Sequence, residues 1–382
     1  MIRYCSIVLC IAVALLVGLG LVMLASTSAW VLQEGASPYS FVKKQAVMVV
    51  VGVVLAVVAA RVPDAPLRKL WPWALAVVCV LLVMCLIPGL GVEIYGSKRW
   101  VKMPVVGSFQ PSELARVIGV IALAGWFARW QTETRTFWRG FILPGMIIGL
   151  PIGLIAIETD VGSALSMSAA CATVFFCAGT RLRFLIPVAV LGMSAAYLYV
   201  RHDPVRWTRI ECWLDPENHK EDQGMQQWRA LVAFGNGGPS GVGLGNGTQK
   251  FVGKLTFAHI DFIFPEIGEE LGLPFTLGVV LCFVLIAVCG IGIASQAKTV
   301  FARLSAVGLT CMIVVPAMQN VAVTTACLPN DGLPLPFISY GGSSIVFALA
   351  AVGMLVGIHR RGLPEESPEL VLGEQKRYAI RL

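Results

Sequence analysis

The chain has 382 residues, of which 57% are hydrophobic and only 13% are charged. Average soluble proteins carry about 25% charged residues. This composition therefore excludes an ordinary soluble protein and predicts an integral membrane protein. The formal net charge of +7 is modest for this length. It gives no reason to expect nucleic acid as a partner.

Ten apolar runs predict the membrane-spanning helices, since a helix needs about 20 apolar residues to cross a bilayer. Some of the runs are shorter than that. They cover residues 5–25, 46–60, 70–87, 114–128, 141–157, 161–178, 184–200, 271–294, 304–328 and 345–358. We predict an all-α integral membrane protein of about ten transmembrane helices. A long extracytoplasmic loop, residues 201–266, would connect helices 7 and 8.

The placement of lysine and arginine predicts the orientation. With the N-terminus in the cytoplasm, every short connection on that side carries Lys or Arg, as cytoplasmic loops usually do. An even number of helices returns the C-terminus to the cytoplasm. We therefore expect one polytopic domain over residues 1–362, followed by a short cytoplasmic tail over 363–382. The first run exceeds the usual 7–15 residues of a signal-peptide core, which favours an uncleaved helix.

The eleven cysteines are scattered, and nearly all fall inside apolar runs. No CxxC pair and no histidine spacing accompanies them. This pattern indicates cysteines that serve as small apolar residues rather than a disulfide framework or a metal site.

One aspartate is the candidate for catalysis. Asp261 ends the long polar stretch, with Glu266, Glu269 and Glu270 close behind it and the apolar run 271–294 directly after. Carboxylates so close to hydrocarbon are costly to ionise and usually have a function. The position indicates proton transfer or ion-coupled transport. A simple cap or ion pair at a helix start is the alternative.

Three further segments place polar groups beside apolar runs. Glu113 and Arg116 are spaced i, i+3 at the start of a span. They either shape a polar pocket or belong to a helix start that Ser112 caps. Residues 158–160 form an acidic spot that is either functional or a plain turn. In 333–344, two prolines and two glycines exclude a regular helix, and irregular backbone at membrane depth favours a re-entrant or gate-like element.

Residues 235–247 are rich in glycine, as phosphate-binding loops are. No strand precedes them and no Gly-Lys-Ser/Thr closes them, so the phosphate signal is weak. A tight turn packed onto the membrane face is the favoured interpretation, because glycine permits unusual backbone conformations.

The motifs together resemble those of the SEDS family, the shape, elongation, division and sporulation proteins. The matching blocks follow the order of the family, and the most specific are LPFISYGGSS at 335–344 and DFIF with IGEELG within 261–272. Residues 241–250 are more similar to the division branch than to the elongation branch. Departures include Ile260, where the family usually has Thr, and Arg116, where it usually has Lys. The blocks cover residues 96–100, 109–116, 235–250, 259–272 and 332–344.

The resemblance implies a peptidoglycan glycosyltransferase. It would polymerise lipid II, the undecaprenyl-pyrophosphate-linked disaccharide-peptide, at the outer face of the bacterial cytoplasmic (inner) membrane, for septal wall synthesis in division. Asp261 would be the catalytic base, with a pKa raised by its apolar surroundings and by the neighbouring glutamates. The residues expected to bind substrate are Lys98, Arg99, Glu113, Arg116, Arg206, Arg209, Lys250, Glu269, Ser339 and Tyr340.

Several of these expected substrate-binding residues are cations that would offset the charge of the pyrophosphate leaving group. No metal ligands are predicted, and no cofactor is implied with certainty, although assistance by a divalent cation stays open. The implied partners are a cognate class B penicillin-binding transpeptidase, other division membrane proteins and membrane lipids.

Three alternatives remain. A lipid II flippase would also use polar residues within spans, such as Glu113, Arg116 and Asp331. A transporter, however, should carry polar groups near the bilayer midplane, whereas most of those in this sequence lie toward the outer face. A polymerase of the elongation branch is the second alternative. A scaffold that only recruits a partner is the third, and it leaves the acidic cluster without a role.

Overall fold

The computed structural model of the protein describes residues 4–31, 39–94, 97–103, 107–158, 160–215, 217–219, 224–250 and 259–363. The described helices are α1 (Cys5–Val31), α2 (Ser40–Arg61), α3 (Asp64–Leu86), α4 (Pro111–Arg129), α5 (Leu143–Ile157), α6 (Val161–Cys177), α7 (Leu182–His202), α8 (Pro204–Leu214), α9 (Met225–Gly237), α10 (Ile263–Leu271), α11 (Leu273–Gln296), α12 (Val300–Thr324) and α13 (Gly342–Gly362). A π-helical turn, Trp138–Ile142, leads into α5.

The predicted membrane fold is confirmed. Nine of the described helices are long and apolar enough to cross a membrane. The tenth, α6, has 17 residues and packs against α12, α4 and α5. Each of the ten predicted apolar runs is helical over most of its length. Most of these helices extend beyond their runs, because polar residues at a helix end continue the backbone hydrogen bonding.

Two helix pairs build much of the core. α1 packs against α11 and buries Leu9, Leu16 and Leu24 completely. α2 packs against α13 at a distance that only glycine permits: a Cβ at Gly353 would lie 2.1 Å from the carbonyl oxygen of Ala56. Small residues allow membrane helices to approach closely and gain dispersion contacts. Because α1 packs against α11 through these buried leucines, the first helix is an integral part of the bundle.

The helix ends define two faces of the bundle. The opposite face is the one where the α2–α3 connection meets the end of α13 and Arg361 donates to Asp64 at 2.8 Å. At the site face lie the α3–α4, α5–α6, α7–α11 and α12–α13 connections. Those connections hold almost all of the sequence-predicted site residues.

Two features of the site face were not predicted from the sequence. A three-stranded antiparallel sheet in the order β1-β2-β3 joins α3 to α4. Its strands are β1 (Gly91–Ile94), β2 (Ser97–Met103) and β3 (Gly107–Phe109). The predicted loop 201–266 does connect the seventh and eighth spans, but much of its described part is helical, in α8, α9 and the start of α10. The predicted tail beyond Leu363 lies outside the described residues and stays a prediction.

Candidate functional site

Asp261 lies at the site face, two residues before α10 begins at Ile263. It is 9% exposed, and Phe262 and Ile263 behind it are completely buried. Asn320, in the last turns of α12, donates its amide to the carbonyl oxygens of Asp261 at 2.7 Å and Leu333 at 2.8 Å. One side chain of α12 therefore clamps the start of α10 to the α12–α13 connection.

The Asp261 carboxyl has a raised pKa of about 7, chiefly because burial disfavours its charged form. The Asp331 carboxylate raises it further, and the Arg209 guanidinium opposes both effects. The sequence-based expectation that Glu266, Glu269 and Glu270 raise this pKa is wrong, since the acid that interacts with Asp261 is Asp331. A Cβ on Gly332 would lie 3.8 Å from Asp261 Oδ2, which places the 331–333 backbone against the carboxyl.

One oxygen of this carboxyl has no fixed donor. Asp261 Oδ1 is buried and accepts no hydrogen bond from the described residues. A buried carboxylate oxygen normally has a partner, and leaving it without one is costly. Among the described residues, no donor competes for this oxygen.

The α12–α13 connection forms one wall of the site, and its irregular backbone is confirmed. Phe337 is buried with φ of 68°, a strained value for a bulky residue. The Tyr340 amide donates to the His259 carbonyl at 3.0 Å, and the Tyr340 ring meets Phe41 edge-on at 4.9 Å. Burial lowers the pKa of His259 to about 4. His259 is therefore neutral at neutral pH.

Ser339, predicted to bind substrate, is buried inside this wall. Its Oγ accepts from the Leu335 amide at 2.8 Å. Its carbonyl oxygen accepts from Gln45 of α2 at 3.1 Å. Both contacts stabilise the connection. Half-buried Tyr340, in contrast, lies at the edge of the site, close to His259.

A second group of polar residues surrounds Asp160, which caps α6 through the Ser163 amide at 3.2 Å. Arg99 of β2 lies 3.4 Å from the Asp160 carboxylate. The side-chain amide of Gln110 donates to the Asp160 carboxylate at 3.2 Å. Asp160 also interacts electrostatically with Asp331. The acidic spot at 158–160 is thus connected, through charge, to the pocket of Asp261.

Glu113 and Arg116 form the predicted ion pair, at 3.0 Å. Both side chains are buried at the start of α4, and Arg116 also donates to the Met312 carbonyl of α12 at 3.1 Å. Ser112 does not cap this helix; its hydroxyl accepts from the side chain of Gln110, which occupies the N-cap position. The pair is therefore a buried polar group between α4 and α12, close enough to Asp160 to interact electrostatically.

Lys250, predicted to face substrate, instead lies in a buried ion pair with Glu270 at 2.6 Å. Its ammonium group also donates to Ser26 of α1 at 2.9 Å and to the Gly245 carbonyl at 2.7 Å. These three acceptors use all of its donors. Lys250 therefore has no hydrogen left for a phosphate.

Glu269 is occupied in the same way. Its carboxylate accepts from Asn236 at 3.1 Å, Thr248 at 2.7 Å and the Gln249 amide at 3.1 Å. Above it, the glycine-rich segment donates from the Val242 amide to the Glu269 carbonyl at 2.9 Å. Residues 238–247 are thus a turn wrapped around the end of α10, as predicted, whereas residues 235–237 end α9. The packing of this turn onto the membrane face stays a prediction.

The structure sorts the predicted site residues into three groups. The first lies at or near Asp261: Arg209 interacts electrostatically with it and Tyr340 is bonded to the nearby His259 backbone. In the same region, Arg99 and Glu113 interact with Asp160, and Arg116 is paired with Glu113. Lys250, Glu269 and Ser339 are engaged in internal contacts. The side chains of Lys98 and Arg206 lie outside the described residues. Within the part that the structure describes, no group of three or more His, Cys, Asp or Glu side chains is arranged to hold a metal ion.

Sequence reasoning missed Asn320 and the role of Asp331. The prediction that Asp331 is a polar residue within a span is wrong. Asp331 lies beyond the end of α12, where its approach to Asp261 depends on tertiary structure. A buried amide late in an apolar helix was the available signal for Asn320, since polar groups inside spans are rare.

Comparisons with known proteins agree with this architecture. A family model described as "Cell cycle protein", for FtsW, RodA and SpoVE, matches residues 7–362. A protein from Pseudomonas fluorescens named "Probable peptidoglycan glycosyltransferase FtsW" is 38% identical over 350 residues, which cover 90% of this chain and 85% of that protein. Its namesake from Geobacter metallireducens is 34% identical over 360 residues, covering 94% and 95%.

Solved structures share the fold. A chain from a structure described as "Structural coordination of polymerization and crosslinking by a peptidoglycan synthase complex" aligns with a TM-score of 0.77 and 25% identity, over 94% of this chain and 98% of that one. Thermus thermophilus RodA aligns with a TM-score of 0.67 and 24% identity, over 94% and 97%. The named relatives at 34–38% identity are FtsW proteins, in agreement with the division-branch motifs. The chain therefore belongs to the FtsW/RodA/SpoVE family, the SEDS family that its motifs resemble.

Proposed function

We propose that this protein is a peptidoglycan glycosyltransferase that polymerises lipid II during cell division. The observation that carries the proposal is the buried Asp261 carboxyl, which has a pKa near neutrality and one oxygen that accepts no hydrogen bond from the described residues. A general base works best when its pKa lies close to the working pH. The names of the FtsW relatives support the reaction and the role in division.

In the proposed reaction, Asp261 removes the proton from a sugar hydroxyl of the acceptor. The hydroxyl oxygen forms a bond to the anomeric carbon of the donor, and the bond from that carbon to the pyrophosphate oxygen breaks. The proton stays on Asp261, and the electron pair leaves with undecaprenyl pyrophosphate. The glycan strand grows by one disaccharide for each cycle.

The leaving pyrophosphate requires positive charge nearby. Arg209 of α8 is exposed and interacts electrostatically with the Asp261 carboxyl, which makes it the best-placed described cation. Arg99 is partly exposed and is bound to Asp160, so it can provide a second donor at the rim. Fixed cations aimed at developing charge stabilise such a transition state.

The site face would lie outside the bacterial inner membrane, with both termini in the cytoplasm and one membrane domain over residues 1–362. Thiol labelling tests this orientation in Glu217→Cys, on the site face, and Arg135→Cys, on the opposite face; both native residues are exposed. In a background whose exposed native cysteines are replaced by serine, a membrane-impermeant reagent added to whole cells should label only position 217. Labelling only at 135 would overturn the orientation.

A class B penicillin-binding transpeptidase is the proposed partner. The structural neighbour described as part of a peptidoglycan synthase complex supports such an assembly. Other division proteins and membrane lipids would complete the surroundings.

The deciding experiment is polymerisation of purified lipid II by the purified chain, alone and with its transpeptidase. Glycan strands in the wild type, and none with Asp261→Asn, would support the proposal. Movement of lipid II across vesicle membranes without any polymer would establish the flippase instead. The position of Asp331 outside the spans removes one argument for that alternative.

A further inference from the structure

Asp331 occupies a position that the proposed reaction does not use. It lies in the α12–α13 connection, partly buried, and its Oδ1 accepts from the Leu333 amide at 3.3 Å. The Leu333 carbonyl is held by Asn320, which also holds the Asp261 carbonyl. Asn320 therefore holds Asp261 directly and is linked to Asp331 through Leu333. A Cβ at Gly332, the residue after Asp331, would lie 3.8 Å from Asp261 Oδ2.

Charged groups from four elements converge here. Asp261 precedes α10, Asp331 follows α12, Asp160 caps α6, and Arg209 projects from α8. Arg99 of β2 is the partner of Asp160 in an ion pair at 3.4 Å. Arg209 is consequently the one described cation that interacts with both Asp261 and Asp331.

We propose that Asp331 is a positioning residue that makes Asp261 a stronger base, and that donor binding increases this effect. Two carboxylates that share a pocket resist simultaneous ionisation, so each holds a proton more tightly than it would alone. Arg209 relieves the repulsion while the site is empty. When the donor pyrophosphate takes Arg209 as its counter-ion, the aspartates lose part of that relief, and Asp261 gains affinity for a proton as the acceptor hydroxyl arrives.

This inference rests on the proposed function, because it assigns Asp331 a role in the same reaction. Asp331 acts through Asp261 and needs no contact with the reacting atoms. It is therefore expected to change the pH at which the enzyme works much more than the maximal rate.

The test is the pH profile of lipid II polymerisation, measured as kcat/KM with the transpeptidase present. In Asp331→Asn, the acid limb of the profile should move to a lower pH by about one unit, because one neighbouring charge typically shifts a pKa by about that much or more. Asp331→Glu should keep the limb close to that of the wild type. Arg209→Gln should move the limb in the opposite direction. Asp215→Asn, which removes an exposed carboxylate outside the site, should leave it unmoved.

A second measurement does not depend on activity. A carbodiimide reacts with protonated carboxyls, so mass spectrometry of the labelled Asp261 peptide across pH gives its titration midpoint. Asp331→Asn should lower that midpoint in the folded protein, and added undecaprenyl pyrophosphate should raise it in the wild type. Asp331→Ser repeats the test if the Asn variant fails to fold.

The outcomes separate the two proposals. An unchanged labelling midpoint in Asp331→Asn overturns the coupling, whatever the enzyme does. So does an unmoved acid limb, and so does loss of activity at every pH in a folded variant, since that result would place Asp331 in direct contact with substrate. If Asp331→Asn lowers the labelling midpoint but the wild-type protein makes no glycan, the glycosyltransferase is refuted and the coupled pair still stands.

Discussion

Asp261→Asn is the sharpest perturbation of the proposed site. It keeps the shape of the side chain but removes the proton acceptor. With a pKa of about 7, roughly three-quarters of the wild-type Asp261 side chains are ionised at about pH 7.5. Loss of a general base costs about 10²–10⁴-fold in rate. We therefore expect polymerisation to fall by at least two orders of magnitude.

The same substitution should stabilise the protein at high pH. The Asp261 pKa is raised from 3.8 to about 7 in the folded state, so folding favours its protonated form. Ionisation of Asp261 thus destabilises the fold progressively as the pH rises from about 4 to about 7. At about 1.4 kcal/mol per pKa unit, the full cost is about 4 kcal/mol as an upper bound. The neutral Asn variant avoids this cost.

The assay combines both expectations. Glycan polymerisation is measured with the transpeptidase bound, and thermal unfolding in detergent is measured at pH 4 and pH 8. The variant should match the wild type in stability at pH 4, exceed it at pH 8, and still bind its partner. Polymerisation at the wild-type rate would refute Asp261 as the base. Lower stability at pH 8 would refute the buried, proton-binding carboxyl described above.

Further predictions concern the supports of the site. Lys250→Met leaves the buried Glu270 carboxylate without its cation and should cost about 3–5 kcal/mol, measured by thermal unfolding; the added Glu270→Gln should restore most of it, and no recovery would contradict the pairing. Asn320→Ala removes the clamp on Asp261 and should lower kcat more than it raises KM in steady-state kinetics. An unchanged kcat would show that the clamp does not position the base. Glu266 is completely buried with a pKa raised from 4.5 to about 8, so Glu266→Gln should leave stability unchanged near pH 4 and increase it progressively as the pH rises to about 8. An equal gain at both pH values would contradict that titration.

The membrane fold could be predicted from the sequence because apolar runs of spanning length are characteristic of helices that cross a bilayer. Asp261 was readable for a related reason, since a carboxylate beside such a run is costly unless it has a function. The small sheet was not readable. Its strands have four, seven and three residues, too short for an alternating pattern to be distinguished from a loop.

The surroundings of Asp261 were predictable only in part, because charge in a sequence does not indicate which groups meet in space. The glutamates nearest to Asp261 in sequence lie against the glycine-rich turn, whereas Asp331, 70 positions away in the numbering, interacts electrostatically with Asp261. For Lys250, likewise, the sequence offers three glutamates as candidate partners, and only the fold of the turn selects Glu270.

Lys250, Glu269 and Ser339 were predicted to bind substrate, but their internal contacts give them a structural role that supports the site. α10 is fixed at both ends: Asn320 clamps the start, next to Asp261, and the glycine-rich turn grips the far end. A Cβ at Gly241, where φ is 74°, would lie 2.3 Å from the Glu270 carbonyl oxygen, so only glycine allows this approach. The buried ion pair of Lys250 and Glu270 then connects the turn to α1 through Ser26. A base that must meet a hydroxyl within hydrogen-bond distance needs such a fixed support, which explains why charged side chains expected at the substrate are buried behind it.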